Sequence, residues 1–346
     1  MARFDEACTD RRITLEGVRA FLAERIEAAV AAGMRSRLLS APGTPARADD
    51  GFRVVVMSAT LDAERFAAFF APHASAVVRV PGRQHAVRVF HTTTPQQDYV
   101  DAATVAVVQL HQELPPGDFL VFLTGQDEIE AVRSVLVEHA ASIPGRMRMA
   151  VLPLYAALSP AQQMRVFFRA PPDTRRVILA TNIAETSLTI PGVRVVIDTG
   201  LAKMRVYDAQ SGVETLAVRP ISLASVRQRS GRAGREAPGR VYRLYTPESL
   251  AELEEETPPE ILRCPLASAL LVLKAVGVDD PLSFPFVDAP PREAMLRGLE
   301  ELLLLGALER ASGRLTRDGR LLAACPLPPV LARTLVASVR LGCAED

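Results

Sequence analysis

The stretch Ser225–Arg240, SVRQRSGRAGREAPGR, places five arginines in sixteen residues. Guanidinium at that density fits a basic patch on a nucleic-acid backbone, a solvated surface helix, or arginines aimed at one small, highly charged ligand. On a helix starting near Ser222, Gln228, Arg232 and Arg235 fall at i, i+4 and i+7 and share one face, while Arg227 and Arg229 point elsewhere. Gly231 and Gly234 inside such a helix cost about 1 kcal/mol each relative to Ala. A solvated helix gains nothing from that cost. Glycine is useful where something must approach the backbone closely, and two planar guanidiniums beside bare backbone suit a polyphosphate.

Three other stretches place polar residues directly after an apolar run. RRVILATNIAETSLTIPG carries Thr181, Asn182, Glu185, Thr186, Ser187 and Thr189. A loop so rich in hydroxyls and amides can read a sugar-phosphate backbone or sense a phosphate, and it can equally be a capping loop. VVVMSATLDAERF sets Ser58 and Thr60 before a helix start, where the ordinary use of such residues is N-capping. DFLVFLTGQDEIE offers Thr124, Gly125 and Gln126 at the end of its run.

These stretches need a scaffold, and the pattern around them supplies one. From Phe52 short runs (FRVVVMSAT, AVVRVPG, VRVFHT, DFLVFLT, RMAVLPLYA, RRVILATN, VRVVIDTG) alternate with helical segments such as QDEIEAVRSVLVEHAA and one beginning at Pro160. Continuous Val/Ile/Leu runs alternating with helices predict a parallel sheet covered on both faces, with ligands at the carboxyl ends of its strands. KMRVYDAQSGVETLAVRPIS interrupts this as a β-hairpin turning at Gln210-Ser211-Gly212. TPESLAELEEETPPE reads as an acidic, solvated linker. Beyond Ile261 two helices precede LERASGRLTRDGRLLA, whose arms around Gly313 and Gly319 suggest the wing of a winged-helix module. Upstream, Leu15, Val18, Leu22, Ile26 and Val30 recur at helical spacing over Leu15–Ala32.

Composition excludes several classes. The chain is 49% hydrophobic and 23% charged, as a globular protein is, and its net charge of +0 provides no global field toward nucleic acid or membrane. Cys8, Cys264, Cys325 and Cys343 are scattered without a CxxC pair, which points to reduced thiols in an intracellular protein and to no structural metal. No apolar run reaches the ~18 residues of a membrane span.

Taken in order, SAT (Ser58–Thr60), FLTGQDEIE (Phe122–Glu130), ATNIAETSLTI (Ala180–Ile190) and QRSGRAGR (Gln228–Arg235) resemble motifs III to VI of the DEAH-box RNA helicases, superfamily 2. The resemblance runs from about Phe52 to the C-terminus. It implies an α/β fold: a RecA-like parallel sheet forming the second helicase domain, preceded by the tail of the first and followed by an α-rich winged-helix domain. The implied boundaries are 1–84 for the remnant of the first RecA-like domain, 85–248 for the second with a β-hairpin at about 203–221, 249–326 for linker and winged helix, and 327–346 for the start of a helical-bundle (ratchet) domain.

By the same resemblance, Gln228, Arg232 and Arg235 are catalytic toward the nucleotide phosphates, the arginines as fingers. Phe167 stacks on the base, and Thr189 and Gly231 lie near the nucleotide. Thr124, Gly125, Thr181 and Asn182 hold RNA, and Ser58 and Thr60 couple hydrolysis to domain movement. The family's acidic ribose contact is replaced here by Pro191. ATP and Mg2+ are implied, with metal ligands expected mainly from first-domain motifs. RNA is the implied partner, with a protein activator at the winged helix, no membrane, a monomer, and a nuclear or cytoplasmic location. Translocation would run 3′ to 5′.

The phosphate loop GxxxxGK[ST] is not legible: Lys203 and Lys274 are the only lysines, and neither follows glycine in that frame. Asp5-Glu6-Ala7-Cys8 resembles a damaged DEAH carboxylate pair, yet only four residues precede Asp5, where the motif should close a buried strand. The expectation is an internal portion of a longer ATP-dependent helicase, inactive alone. The alternative is a non-catalytic nucleic-acid-binding or regulatory protein derived from the helicase C-terminal half.

Overall fold

The computed structural model describes residues 85–140, 147–186, 188–208 and 211–343, with short stretches at 56, 63–71 and 77–79. The helix expected at Leu15–Ala32, Asp5-Glu6-Ala7-Cys8, and Ser58 and Thr60 lie outside the described residues, and of the strand before Ser58 only Val56 is described, exposed and without regular structure. The strand expected in AVVRVPG is not found in its described part. Residues 77–79 have no regular structure, and Val78 is 81% exposed.

Two compact units emerge. One contains residues 70–206 and 215–258; the other contains the chain from Pro259, the hairpin tip 207–214 and the segment ending at Phe69.

Among the described residues the strands are β1 (Val87–His91), β2 (Asp118–Phe122), β3 (Arg148–Leu154), β4 (Thr174–Ala180), β5 (Val193–Asp198), β6 (Leu201–Asp208), β7 (Val213–Pro220) and β8 (Gly239–Arg243). All except β6 and β7 form one sheet in the order β1-β8-β5-β2-β4-β3, and every pairing is parallel. The apolar runs dictate this, because their alternate residues are buried on opposite faces. Phe119, Val121, Val177, Leu179, Val195 and Ile197 pack under the helices Tyr99–Glu113 and Gln126–Ala140. Leu120, Phe122, Ile178, Ala180, Val196 and Val241 face the other way, toward Val166, Ala184, Ile190 and Ala233.

The second face carries the site. Its cover is made by the β4–β5 crossover and by the helix Leu223–Gly231 leading into β8. Both segments start at the carboxyl edge of the parallel sheet and deliver the chain to the amino edge, where β5 and β8 begin. β6 and β7 form the expected two-stranded hairpin, with Gly212 at φ +72 in its turn and Asp208 accepting from the Ser211 hydroxyl at 2.6 Å.

The acidic segment before Pro258 is not the solvated connector that its composition suggests. The carbonyls of Glu254 and Glu255 accept from Leu223 N (2.8 Å) and Ala224 N (3.0 Å), the first amides of the Leu223–Gly231 helix, which have no intrahelical partners. Thr257 Oγ1 donates to the N-cap hydroxyl of Ser222 at 2.9 Å, and Arg227 pairs with Glu255.

In the other unit, the helices Ala267–Ala275, Arg292–Leu304, Arg317–Ala324 and Pro329–Leu341 enclose Leu270, Leu271, Met295, Leu302, Leu322 and Val336. The expected wing is reduced to a single antiparallel bridge, Leu308 with Leu315. Its second arm is helical, because Thr316 N-caps Arg317–Ala324 by accepting from Gly319 N at 2.9 Å. Gly319 is a close-packing residue against the Ala307 carbonyl, not a turn.

Candidate functional site

The Leu223–Gly231 helix begins at Ser222 as expected, but it ends sooner. Arg232 is its C-cap, and Arg235 lies past it in the turn toward β8. Gln228, Arg232 and Arg235 therefore do not share one continuous helical face. Gly234 also has a different cause from the one its sequence suggests. A Cβ there would lie 2.7 Å from Val87 Cγ2 and 2.8 Å from the His85 carbonyl. His85 N donates to Gly234 O at 2.9 Å, so the backbone that approaches is the chain's own entry to β1.

Arg229 points inward and is wholly buried. Its Nη1 donates to Asp198 Oδ1 at 2.7 Å, its Nε to Glu185 Oε2 at 3.0 Å, and its guanidinium stacks 4.6 Å over Phe122. Burial alone would lower its pKa, but the two carboxylates hold it above the ordinary arginine value. Asp198 closes β5 and accepts from the Tyr245 hydroxyl at 3.1 Å, while Glu185 belongs to the β4–β5 crossover. Arg229 thus ties crossover, strand end and helix into one buried unit.

Among the described residues neither Arg232 nor Arg235 forms an ion pair with a carboxylate, although the charge of Glu185 acts on Arg232. Arg232 Nη1 donates to Leu188 O at 2.7 Å and Nη2 to Glu185 O. Burial, reinforced by the charge of Arg235, pushes the pKa of Arg232 down to about 10. Arg235 is exposed and donates to Thr189 Oγ1. Close by in sequence, Gln228 Oε1 is buried with no hydrogen-bond partner among the described residues. Two like charges held together by carbonyls and a hydroxyl suit an anion with several oxygens.

Gly231, the last helical residue, is half-buried. Phe167 closes the short turn Arg165–Phe167 and is half-buried against the same core face. The next residue, Phe168, is 64% exposed. Thr189, Arg235 and Phe167 all precede strands (β5, β8 and β4) and so belong to the amino edge. That differs from the carboxyl-edge placement that parallel sheets lead one to expect.

The carboxyl edge holds the other candidates. Thr181 and Asn182 follow β4, with Asn182 exposed and opening the turn Asn182–Ala184. Thr124 follows β2 but is buried, its hydroxyl donating to Glu128 Oε1 at 2.6 Å and its amide to Oε2 at 3.0 Å. Its side chain therefore organises the start of the Gln126–Ala140 helix and does not face outward. Lys203 lies over Gly125: a Cβ there would be 2.7 Å from Lys203 Nζ. Sequence reasoning weighed Lys203 only as a phosphate-loop lysine and missed this placement. Glu185 and Asp198 were missed as a pair because they are distant from Arg229 in sequence. Among the described residues there is no group of three or more His, Cys, Asp and Glu that could hold a metal ion.

A doubly covered parallel sheet with paired arginines at one edge and a Thr-Asn turn at the other agrees with the RecA-like fold of the helicases that this chain matches. Residues 102–237 match the family described as helicase conserved C-terminal domain. More narrowly, the chain carries DEAH-box sequence of superfamily 2. It is 47% identical over 296 residues to the Pre-mRNA-splicing factor ATP-dependent RNA helicase DEAH10 of Arabidopsis thaliana, covering 85% of this chain and 41% of that protein. The crystal structure of the Escherichia coli DEAH/RHA helicase HrpB superposes with a TM-score of 0.72 at 37% identity, over 81% of this chain and 35% of that one. The crystal structure of the E. coli DExH-box NTPase HrpB gives 0.68 at 36% identity, over 82% and 34%. The chain thus spans about two fifths of the curated relative and about a third of the solved chains.

Proposed function

We propose that this chain supplies the second-domain half of an ATP-dependent RNA helicase of DEAH-box type, coupling nucleoside triphosphate hydrolysis to movement along or remodelling of RNA. The observation that carries the reading is the pair Arg232 and Arg235, held by Leu188 O, Glu185 O and Thr189 Oγ1 without an ion pair to a carboxylate among the described residues. An anionic ligand would complete that arrangement. In this reading ATP is the substrate. Arg232 and Arg235 stabilise charge on its transferring phosphoryl group, Gln228 donates to phosphate oxygens from its amide nitrogen, and Phe167 stacks on the base.

RNA lies along the carboxyl edge, where Asn182, Thr181 and the backbone at Gly125 contact its sugar-phosphate chain. Lys203 adds one cation beside Gly125. Thr124 supports that edge through Glu128 instead of touching RNA. The β4–β5 crossover and the Leu223–Gly231 helix run from this edge to the arginines and are joined midway by Arg229. RNA contact at one end and phosphate charge at the other act on the same two segments. The protein acts inside the cell, as its resemblance to a splicing helicase implies.

The test is RNA-stimulated ATP hydrolysis. The chain alone should give none, and the chain joined to a phosphate-loop domain in one polypeptide should turn over ATP. Robust turnover by the chain alone would contradict the division of labour proposed here.

A further inference from the structure

Arg176 belongs to none of the helicase motifs, yet its guanidinium is more fully engaged than any finger. Its side chain is 4% exposed and that of Asp118 14%. Nε and Nη2 donate to Asp118 Oδ2 at 2.9 and 2.6 Å, and Asp118 Oδ1 accepts the backbone N of Arg176 at 2.8 Å. The remaining protons go to three carbonyls. Nη1 donates to Val166 O at 2.8 Å and to Phe168 O at 2.6 Å, the residues on either side of Phe167, and Nη2 donates to Pro191 O. Gly192 is glycine for the same reason: at φ +85, a Cβ would lie 2.6 Å from Asp118 Oδ2 and 3.0 Å from Arg176 Nη2.

One side chain therefore fixes the backbone before and after Phe167 and fastens it to the end of the crossover, two residues beyond Thr189. Charge neutralisation needs only Asp118. The three carbonyl bonds additionally set the pitch of the Phe167 turn relative to the Thr189–Arg235 contact. Pro191 stands where the family's acidic ribose contact would be, so the nucleoside has that much less to orient it.

We propose that Arg176 is a positioning residue for the nucleotide base, setting Phe167 at a fixed distance from the phosphate-binding arginines. This rests on the reading of Phe167 as the base-stacking residue.

The sequence contains no tryptophan, so Phe167→Trp places a single reporter at the base site. The 346-residue chain with that change is titrated with ATP by emission, and with tripolyphosphate, which has phosphates and no base, by thermal shift. ATP alters the emission. Adding Arg176→Lys, which keeps a cation beside Asp118 but cannot serve three carbonyls, weakens ATP about tenfold, the scale of one lost base stack, and leaves tripolyphosphate affinity unchanged. Asp118→Asn in the same background lowers the melting temperature and leaves ATP affinity within about twofold, because the carbonyl bonds remain.

If Arg176→Lys weakens both ligands equally, or neither, Arg176 has no base-specific role and the base-stacking reading stands. If ATP leaves the emission unchanged while Arg176 is present, the base-stacking reading itself fails, and the role of Arg176 with it. Loss of ATP affinity in Asp118→Asn equal to that in Arg176→Lys would move the effect to the ion pair and overturn the proposal.

Discussion

The two edges of the parallel sheet are built from different chemistry. At the carboxyl edge the groups proposed to meet RNA are short and neutral, Thr181, Asn182 and the backbone at Gly125, with Lys203 beside Gly125 and Arg243 at the end of β8 as cations. At the amino edge the groups are guanidiniums. Arg175, Arg176, Arg232 and Arg235 all lie there, and most of their partners are backbone carbonyls. A carbonyl orients a guanidinium without neutralising it, whereas a carboxylate does both. Arg229, between the edges, has two carboxylates and is structural; among the described residues Arg232 and Arg235 form no ion pair, and in the proposed reading their charge serves a ligand. The arginine-rich stretch is thus divided by partner type more than by helical face.

The largest expected effect concerns the amino edge. In a polypeptide that adds a phosphate-loop domain, Arg232→Ala or Arg235→Ala should lower the ATP turnover number by about 10³-fold or more. Steady-state hydrolysis checks this, and a loss of less than tenfold would remove the finger assignment. Next is the connection between edges. Arg229→Met strands Glu185 and Asp198 in the interior and should reduce unfolding free energy by about 3–5 kcal/mol in urea denaturation. A smaller loss of about 1–3 kcal/mol is expected for Gly234→Ala, whose Cβ collides with the entry to β1 while leaving both arginines in place. At the carboxyl edge, Asn182→Ala should weaken single-stranded RNA about two- to tenfold, the value of one neutral hydrogen bond.

The smallest effect is a pH dependence at the amino edge. His111 Nε2–H donates to Met147 O at 3.1 Å, so Nδ1 remains to accept from Arg175 Nη1 at 3.4 Å. Burial, and then the charge of Arg175, hold the His111 pKa below its usual 6.5. As pH falls past about 6.5 the unfolded chain takes up this proton before the folded one. Stability should therefore decline on acidification from that point, and His111→Gln should flatten the decline in thermal melts at pH 7 and 5.

Much of this was legible in the sequence for a physical reason. Runs such as DFLVFLT and RRVILATN are apolar at both even and odd positions, which only a doubly covered parallel strand requires. The motif order then carried the family. What stayed illegible depends on contacts between distant segments. Gly234 reads as room for a ligand until His85 is seen against it. Thr124 reads as outward-facing until Glu128, four residues on, takes its hydroxyl. The arm after Gly313 reads as a strand because Gly313 and Gly319 look like turn glycines, yet the Thr316 cap commits it to a helix. The edge on which Phe167 and Thr189 lie could not be read from their motifs alone, since it depends on which strand each loop enters.

The separation of the two edges is tested most directly by RNA binding of this chain. Fluorescence anisotropy with a labelled single-stranded RNA would compare Thr181→Ala/Asn182→Ala with Arg232→Ala/Arg235→Ala across a salt series. The expected result is that the first pair weakens binding, while the second leaves both affinity and salt slope unchanged, because its arginines face a nucleotide. Equal or greater loss of RNA affinity with the arginine pair, and a shallower salt slope, would mean that SVRQRSGRAGR is a basic patch after all.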